Sequence, residues 1–266
     1  MVGLIAGGGQ YPLLFARAVK KAGQPLAVFA LKGEERPNLR PWADVYYEIP
    51  VSRFGKLLAL LKREKISEIA LAGHINKSRA IKIARPDLKT LFLWGKLRNR
   101  NDDEILRAVA EEIEKLGIRV ISPTKFLPEL LTPAGVLTKK KPSPAQWKDI
   151  VYGFGIAKAL GELDIGQCVV VKDQMVVAVE AIEGTDATIE RAGTLVEDTV
   201  VIKVFKPQQD PRFDLPSAGL QTILTMKRAR ARVLALEARR SLFFEREKAL
   251  SLADKLGIVV VGVPYE

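Results

Sequence analysis

Apolar residues run along this chain in two rhythms. Short unbroken runs, VGLIAG near the N-terminus, PLAVFAL, and EIALAG at Glu68–Gly73, read as buried strands. Between them, apolar positions recur three and four residues apart. Leu13, Leu14, Ala18 and Val19 do so in YPLLFARAVKKAG, which stops at Gly23. Phe54, Leu57, Leu58 and Leu61 share one face of a helix predicted over Ser52–Lys65. A further helix is expected over Asn101–Leu116, capped by Asn101 and ended by Gly117, with IRVIS as the next strand. This alternation predicts a Rossmann-like α/β layer: a parallel sheet with helices on both faces.

The pattern breaks between Leu127 and Gln146. That stretch, LPELLTPAGVLTKKKPSPAQ, holds four prolines and three consecutive lysines and makes a poor helix and a poor strand. It divides the chain into an N-terminal α/β domain over 1–131, a linker or hinge over 132–144 and a C-terminal α/β domain over 145–266. The second half restarts with a helix over Ala145–Leu160. GQCVVVKDQMVVAVE then reads as two strands joined at Lys172-Asp173-Gln174 in a hairpin-like connection. EDTVVIKVFK, RVLALEA and IVVVGV are further strands, and Gly219–Arg230 and Glu245–Leu256 are helices. No repeat of fixed period is present.

A length of 266 residues with 48% apolar content suits one or two globular domains and excludes general disorder. No run approaches the 18–20 apolar residues that span a bilayer. The N-terminus lacks a basic stretch ahead of its apolar residues, so no signal peptide is read there and the cytoplasm is the expected compartment. The single cysteine, Cys168, excludes an intrachain disulfide and a multi-cysteine zinc site within the chain. In QCVVV it reads as a buried thiol. Lys and Arg number 42 against 31 Asp and Glu, a net charge of +11. Such an excess suits nucleic acid, a phosphorylated metabolite or an anionic membrane face, or a charge-rich surface with no dedicated partner.

Three segments carry candidate chemistry. Gly7-Gly8-Gly9 lies between the first strand and the first helix, where backbone amides and the helix N-terminus favour an anion. The spacing is neither G-x-G-x-x-G nor a Walker loop, and a plain tight turn is the competing reading. In the second half, Leu163–Gln167 precedes one strand of the hairpin and Glu180–Asp186 follows the other. Glu183 and Asp186 could hold a metal and Thr185 could donate to a phosphate; alternatively, Thr185 or Asp186 caps a helix over Ala187–Ala192. The third segment, Lys206–Pro216, combines three prolines with Asp210, Arg212 and Asp214. Extended chain would place the two aspartates about 13 Å apart, so they share one magnesium ion only if the chain turns between them. The sole histidine, His74, follows a strand and a glycine and reads as structural or solvated. With so little histidine, an enzyme built on this chain relies on carboxylates, Lys, Arg and a hard cation, a set suited to phosphoryl chemistry. The basic stretch Lys227–Arg240 lacks interleaved aromatics and reads as a solvated or membrane-proximal face rather than a nucleic-acid site.

IAGGGQYP, LAG, NDDEILRAVAEEIEKLG, LDIGQCVVV, VEAIEGTDATIERAG and KPQQDPRFDLPSAG occur here in that order. Together they resemble the LpxI-type UDP-2,3-diacylglucosamine pyrophosphatases of lipid A biosynthesis, from Gly3 to Val263. The resemblance implies two α/β domains with a hinge and a lipid-sugar site between them. It implies magnesium-dependent hydrolysis to UMP and 2,3-diacylglucosamine 1-phosphate (lipid X) at the inner face of a membrane. The family's essential acidic residue falls on Asp214, with Asp210 beside it as a second candidate magnesium ligand. The EGTD loop falls on Glu183, Gly184, Thr185 and Asp186. With Gly7, Gly8, Gly9, Gln167, Lys206 and Arg212 these form the expected substrate-binding set. The chain departs from the family where AG-x-V-x-R reads AGHINKS at His74–Ser78, and where EAG reads Glu237-Ala238-Arg239. A homodimer is left open and no nucleic-acid partner is expected. The competing reading is a nucleotide- or dinucleotide-binding oxidoreductase or nucleotide-sugar enzyme that uses the Gly7–Gly9 turn, with Glu34 or Glu35 at the ribose. A non-catalytic nucleic-acid or membrane-binding module is the other, and the acid-rich loops of the second half argue against it.

Overall fold

The computed structural model describes residues 1–75, 86–96, 102–213 and 215–264, which form two compact units. The first comprises Met1–Pro128 with residues 210–213, and the second comprises Glu129–Gln209 with residues 215–264. Both carry the expected α/β architecture.

The first unit runs β1 (Val2–Ala6), α1 (Tyr11–Lys21), β2 (Leu26–Leu31), β3 (Val45–Ile49), α2 (Phe54–Arg63), β4 (Glu68–Ala72), α3 (Leu88–Lys96), α4 (Asp102–Glu114) and β5 (Arg119–Ile121). Its five strands are all parallel, in the order β3-β2-β1-β4-β5. Leu4 of β1 sits opposite Val28 of β2 and Ala70 of β4, so the central strand is buried along its whole length, as its unbroken apolar run requires. The chain leaves β1 toward β2 on one side and returns to β4 on the other. The carboxyl ends of β1 and β4 therefore form a switch point, where open α/β sheets leave a crevice. Two elements escape the sequence pattern. Strand β3 is a half-exposed edge held by Tyr47, whose ring stacks on Phe29 at 5.7 Å and whose hydroxyl donates to Glu64 at 2.6 Å. Helix α3 is only nine residues long. The cap expected at Asn101 lies outside the described residues.

The second unit runs β6 (Gly135–Val136), α5 (Pro144–Glu162), β7 (Cys168–Lys172), β8 (Met175–Val179), α6 (Thr185–Leu195), β9 (Val200–Lys203), β10 (Ser217–Ala218), α7 (Leu220–Arg228), β11 (Val233–Glu237), β12 (Leu242–Phe243), α8 (Arg246–Leu256) and β13 (Val259–Val263). Six strands form a mixed sheet in the order β6-β13-β11-β9-β7-β8. Alternate residues feed two cores on its two faces. Cys168, Val170, Leu234 and Val260 enter one, and Val169, Val171, Ala235 and Val261 the other. The hairpin expected at residues 172–174 is present: β7 and β8 are antiparallel, and Asp173 and Gln174 both adopt positive φ. The Asp149 carboxylate on α5 accepts from both their amides, at 3.2 and 2.7 Å.

Residues 132–144, expected as a linker or hinge, contact this unit. β6 pairs antiparallel with β13, the Thr132 amide donates to the Ser241 carbonyl at 2.8 Å, and the Lys139 amide donates to Asp254 at 2.8 Å. Pro133 and Pro142 interrupt regular structure without preventing edge pairing, and Pro144 opens α5 at its first turn. The helix expected over Ala187–Ala192 extends over Thr185–Leu195 with Gly184 at its N-cap, so neither Thr185 nor Asp186 caps it. No helix among the described residues is long and apolar enough to cross a membrane.

Packing of α6 on α7 makes a stability prediction whose sign opposes helix propensity. Alanine in place of glycine within a helix ordinarily gains up to about 1 kcal/mol. A Cβ on Gly193, however, would lie 2.6 Å from the Ala229 Cα and 2.7 Å from its carbonyl oxygen. Gly193→Ala is expected to cost about 1–3 kcal/mol through overpacking, read as a lower denaturant midpoint.

Candidate functional site

In the first unit, the Gly7–Gly9 turn stands at the carboxyl end of β1, but its amides are already taken. Gly7 donates to the Ala72 carbonyl at 2.8 Å, Gly8 to that of His74 at 2.8 Å and Gly9 to that of Glu35 at 2.9 Å. The glycines are required by close approach instead. A Cβ on Gly7 would lie 2.5 Å from the His74 carbonyl, and one on Gly8 would lie 2.7 Å from the imidazole Nε2. The anion-cradling N–H groups expected of this turn are therefore engaged in joining β1 to the β4 exit. The dinucleotide reading draws on these same amides. His74, read as structural or solvated, is exposed and bridges back to Gly8 through its backbone.

The acidic loop turns where an extended chain could not. The Phe213 amide donates to the Asp210 carbonyl at 3.1 Å, and the Phe213 ring packs against the first unit's core. Asp210 is held by its neighbour: Arg212 Nε donates to it at 3.0 Å, Nη2 at 2.7 Å and the Arg212 amide at 2.9 Å. Arg212 Nη1 meanwhile donates to Glu114 at 2.6 Å. Burial alone would raise the Asp210 pKa; the Arg212 guanidinium and amide, aided by Arg107, outweigh it and hold the carboxyl below its ordinary value. Asp214, the expected catalytic residue, lies outside the described residues, as do Asn76–Ser78.

The second unit gathers Gln167, Glu183, Gly184, Thr185 and Asp186 at one edge of its sheet. Cys168 begins β7 opposite Lys203, which ends β9, and Val179 ends β8 opposite Val169. The carboxyl ends of β9 and β11, the end of β8 and the start of β7 therefore share that edge. Buried Glu180 organises the loop: its Oε1 accepts from the Thr185 hydroxyl at 2.9 Å and its Oε2 from the Gln167 amide at 3.4 Å. Glu183 accepts from the Ala181 amide at 3.1 Å and from Arg191 at 2.6 Å. The Arg191 hydrogen bond leads in holding the Glu183 carboxyl below its ordinary pKa. Asp186 is exposed. Lys206 lies on the same side of the unit, its ammonium donating to Asp164 at 2.7 Å. Cys168 is buried, and burial pushes its thiol pKa well up, as expected of an inert thiol.

Behind this edge sits a charge pair that sequence reasoning did not assemble. Glu237, fully buried at the end of β11, accepts from Lys158 of α5 at 2.6 Å and from the Phe205 amide at 2.8 Å. Lys158 also donates to the Phe205 carbonyl at 2.8 Å. The two side chains thus hold the amide and the carbonyl of Phe205, the residue from which the Lys206–Pro216 loop departs. Glu237 Oε1, Gln167 Oε1, Thr132 Oγ1 and Ser241 Oγ are buried without a hydrogen-bond partner. The only sequence signal was one acid closing the otherwise apolar strand VLALE, and Glu180 closing MVVAV in the same way.

The described carboxylates near the acidic loop are engaged within the protein. Both oxygens of Asp210 face the Arg212 fork, and no group of three His, Cys, Asp or Glu residues converges among the described residues.

Two family models match the chain in order. That of the LpxI N-terminal domain covers residues 1–130, and that of the LpxI C-terminal domain covers residues 133–261. A relative from Caulobacter vibrioides, UDP-2,3-diacylglucosamine pyrophosphatase LpxI, is 36% identical over 276 aligned residues. The alignment takes in 98% of this chain and 97% of the relative.

Two outcomes follow from the charge geometry. Lys158→Met leaves Glu237 buried without its cation and is expected to cost about 3–5 kcal/mol in chemical denaturation. Asp210 has a depressed folded pKa, so its contribution to stability is present above the unfolded value of about 3.9 and is lost as pH falls through the folded pKa. The melting-temperature gap between wild type and Asp210→Asn should therefore be open at neutral pH and should close on acidification below about pH 4.

Proposed function

Since this chain belongs to the LpxI family, we propose that it hydrolyses the pyrophosphate bond of UDP-2,3-diacylglucosamine, releasing UMP and 2,3-diacylglucosamine 1-phosphate (lipid X) for lipid A biosynthesis. The supporting observation is the collinear, end-to-end match: both domain families in order, and a relative named for that activity over nearly the whole of both chains.

In this reading Asp214, in the loop stiffened by Pro211 and Pro216, is the essential carboxylate that accepts a proton from the attacking water or serves as a metal ligand. Lys206 and Arg212, whose partners Asp164, Asp210 and Glu114 hold them in place, are the cations available to the pyrophosphate. Gln167 and the Glu183–Asp186 loop supply hydroxyl, amide and carboxylate groups for the sugar and phosphate oxygens. The Gly7–Gly9 turn contributes shape, its amides being engaged elsewhere. Magnesium is the proposed cofactor; when bound it would neutralise charge on the phosphates, and Asp214 is the residue proposed to hold it. A net charge of +11 supports a working place at the anionic inner leaflet, where a diacylated substrate resides.

Incubation of the purified chain with magnesium and UDP-2,3-diacylglucosamine should yield UMP and lipid X by chromatography. EDTA should stop turnover and added magnesium restore it. Asp214→Ala should keep its fold and lose about 100-fold or more in turnover. Undiminished turnover in that variant removes the assignment of Asp214, and absence of UMP from wild type removes the activity.

A further inference from the structure

The amino ends of β9, β11 and β13 border a cavity of about 540 Å³ in the second unit. Asp198, just before β9, Arg232, just before β11, and Gly257, just before β13, all line it. Lys172 and Asp173 at the β7–β8 turn form a second wall, and Lys140 with the first turn of α5 forms a third. The Gln167 and Glu180–Asp186 loops stand at the opposite edge of the same sheet, about 15 Å away along strands of four and five residues. The cavity has the volume of a small-molecule site. Its walls are held in place. The Lys139 amide donates to Asp254 at 2.8 Å, the Thr138 hydroxyl donates to the Lys140 carbonyl at 3.0 Å, and Ser143 and Gln146 cap α5 reciprocally. The three-lysine run of the sequence is thus anchored beside the cavity.

Charge indicates the occupant. Three cations, Lys140, Lys172 and Arg232, share the lining with Asp149, Asp173 and Asp198. The formal charges balance, but the aspartates are not equally available. Asp149 is 4% exposed, and its two oxygens accept from the Asp173 and Gln174 amides. Asp198 accepts from Arg232 Nε at 2.6 Å, and its backbone carbonyl accepts from the Lys172 ammonium at 3.4 Å. The Arg232 hydrogen bond leads, with the charges of Lys172 and Lys140 behind it, in holding the Asp198 carboxyl below its ordinary pKa. One carboxylate thus serves three cations. Among the described residues, the Lys140 ammonium and the Gln146 side-chain nitrogen donate to nothing, and the Asp173 carboxylate accepts from nothing. The positive end of the nineteen-residue helix α5 adds to the same field. Charged donors around one committed carboxylate suit a phosphate. A bare phosphate would leave most of the volume empty, whereas Asp173 and Gln146 suit the hydroxyls of an attached sugar.

We propose that this cavity binds a sugar phosphate, with the phosphate among Lys140, Lys172 and Arg232 and the sugar hydroxyls at Asp173 and Gln146. It is a second site, at the edge of the sheet opposite the Gln167 and Glu180–Asp186 loops. The proposal does not rest on the pyrophosphatase reading, and its test needs no turnover, so each can fail without the other.

The single, buried cysteine allows a local test. Ala145 is exposed and lines the cavity, so Ala145→Cys in the full-length chain supplies the one thiol that a reagent reaches. Its rate of alkylation is followed with glucose 1-phosphate, glucose or inorganic phosphate, at an ionic strength held constant with sodium chloride. Glucose 1-phosphate should slow the reaction, inorganic phosphate should do so only at higher concentration, and glucose should not. A thiol introduced by Leu195→Cys, on the exposed end of α6, should react at the same rate throughout. Adding Lys140→Gln/Lys172→Gln to Ala145→Cys should raise the glucose 1-phosphate needed for protection about tenfold or more. Lys140→Gln alone, at an exposed side chain with no bond to break, should raise it in the same direction and serves where the double change lowers the thermal midpoint. Absence of protection overturns the proposal, as does protection that survives the lysine changes. Equal protection by sodium chloride alone would show general screening, and equal protection by inorganic phosphate would remove the sugar; either result overturns it.

Discussion

A carboxylate with no access to water must be matched where it stands, and the second unit is arranged around one. Glu237 is neutralised by Lys158 and hydrogen-bonded by the Phe205 amide, and Lys158 in turn takes the Phe205 carbonyl. Those three contacts fix α5, the end of β11 and the exit from β9 relative to one another. Unpaired, either charge would carry a desolvation cost of several kcal/mol, so the pair tolerates little displacement. Phe205 is the residue before Lys206, and the loop that carries Asp210, Arg212 and Asp214 therefore departs from a rigid point.

Rigidity at the base contrasts with the chemistry further along. Asp210 and Arg212 form a forked pair extended to Glu114, and Glu180 holds Thr185 and the Gln167 amide. Asp210, Arg212, Glu183 and Thr185 are each positioned by another side chain, as a preorganised polar site requires. The Gly7–Gly9 turn belongs to the same logic in a different form. Its glycines let the β4 exit come within contact of the β1 exit, and its amides close that junction. A glycine-rich turn at a switch point is thus consistent with two roles, and only the destination of its N–H groups separates them.

Charge distribution follows a comparable division. Arginines of the Lys227–Arg240 stretch are matched by Glu190, Glu197 and Asp198, which come from elsewhere in the second unit. Net charge alone does not distinguish a compensated surface from an uncompensated one, although only the second attracts an anionic partner.

What the amino-acid order determines by itself here is what depends on near neighbours. Unbroken apolar runs become β1, β2, β4, β7, β9, β11 and β13 because strands covered on both faces need no polar alternation. The Asp173-Gln174 connection and the helices over Tyr11–Lys21, Phe54–Arg63 and Pro144–Glu162 follow from local spacing and turn chemistry in the same way. The family motifs also placed the candidate loops at strand ends, where the described ones lie. Tertiary structure alone decided the rest, because those outcomes depend on partners far along the chain. Lys158 and Glu237 are 79 residues apart. Within the proline- and lysine-rich residues 132–144, Gly135 and Val136 became an edge of a sheet because β13, over a hundred positions later, offered them an unpaired side. Edge strand β3 and short α3 are held by Tyr47–Glu64 and by Asp87–Gly55, contacts that no periodicity in their own sequences announces. Asp210 is the partner of Arg212 because the chain folds back at Phe213 and places the guanidinium against both carboxylate oxygens.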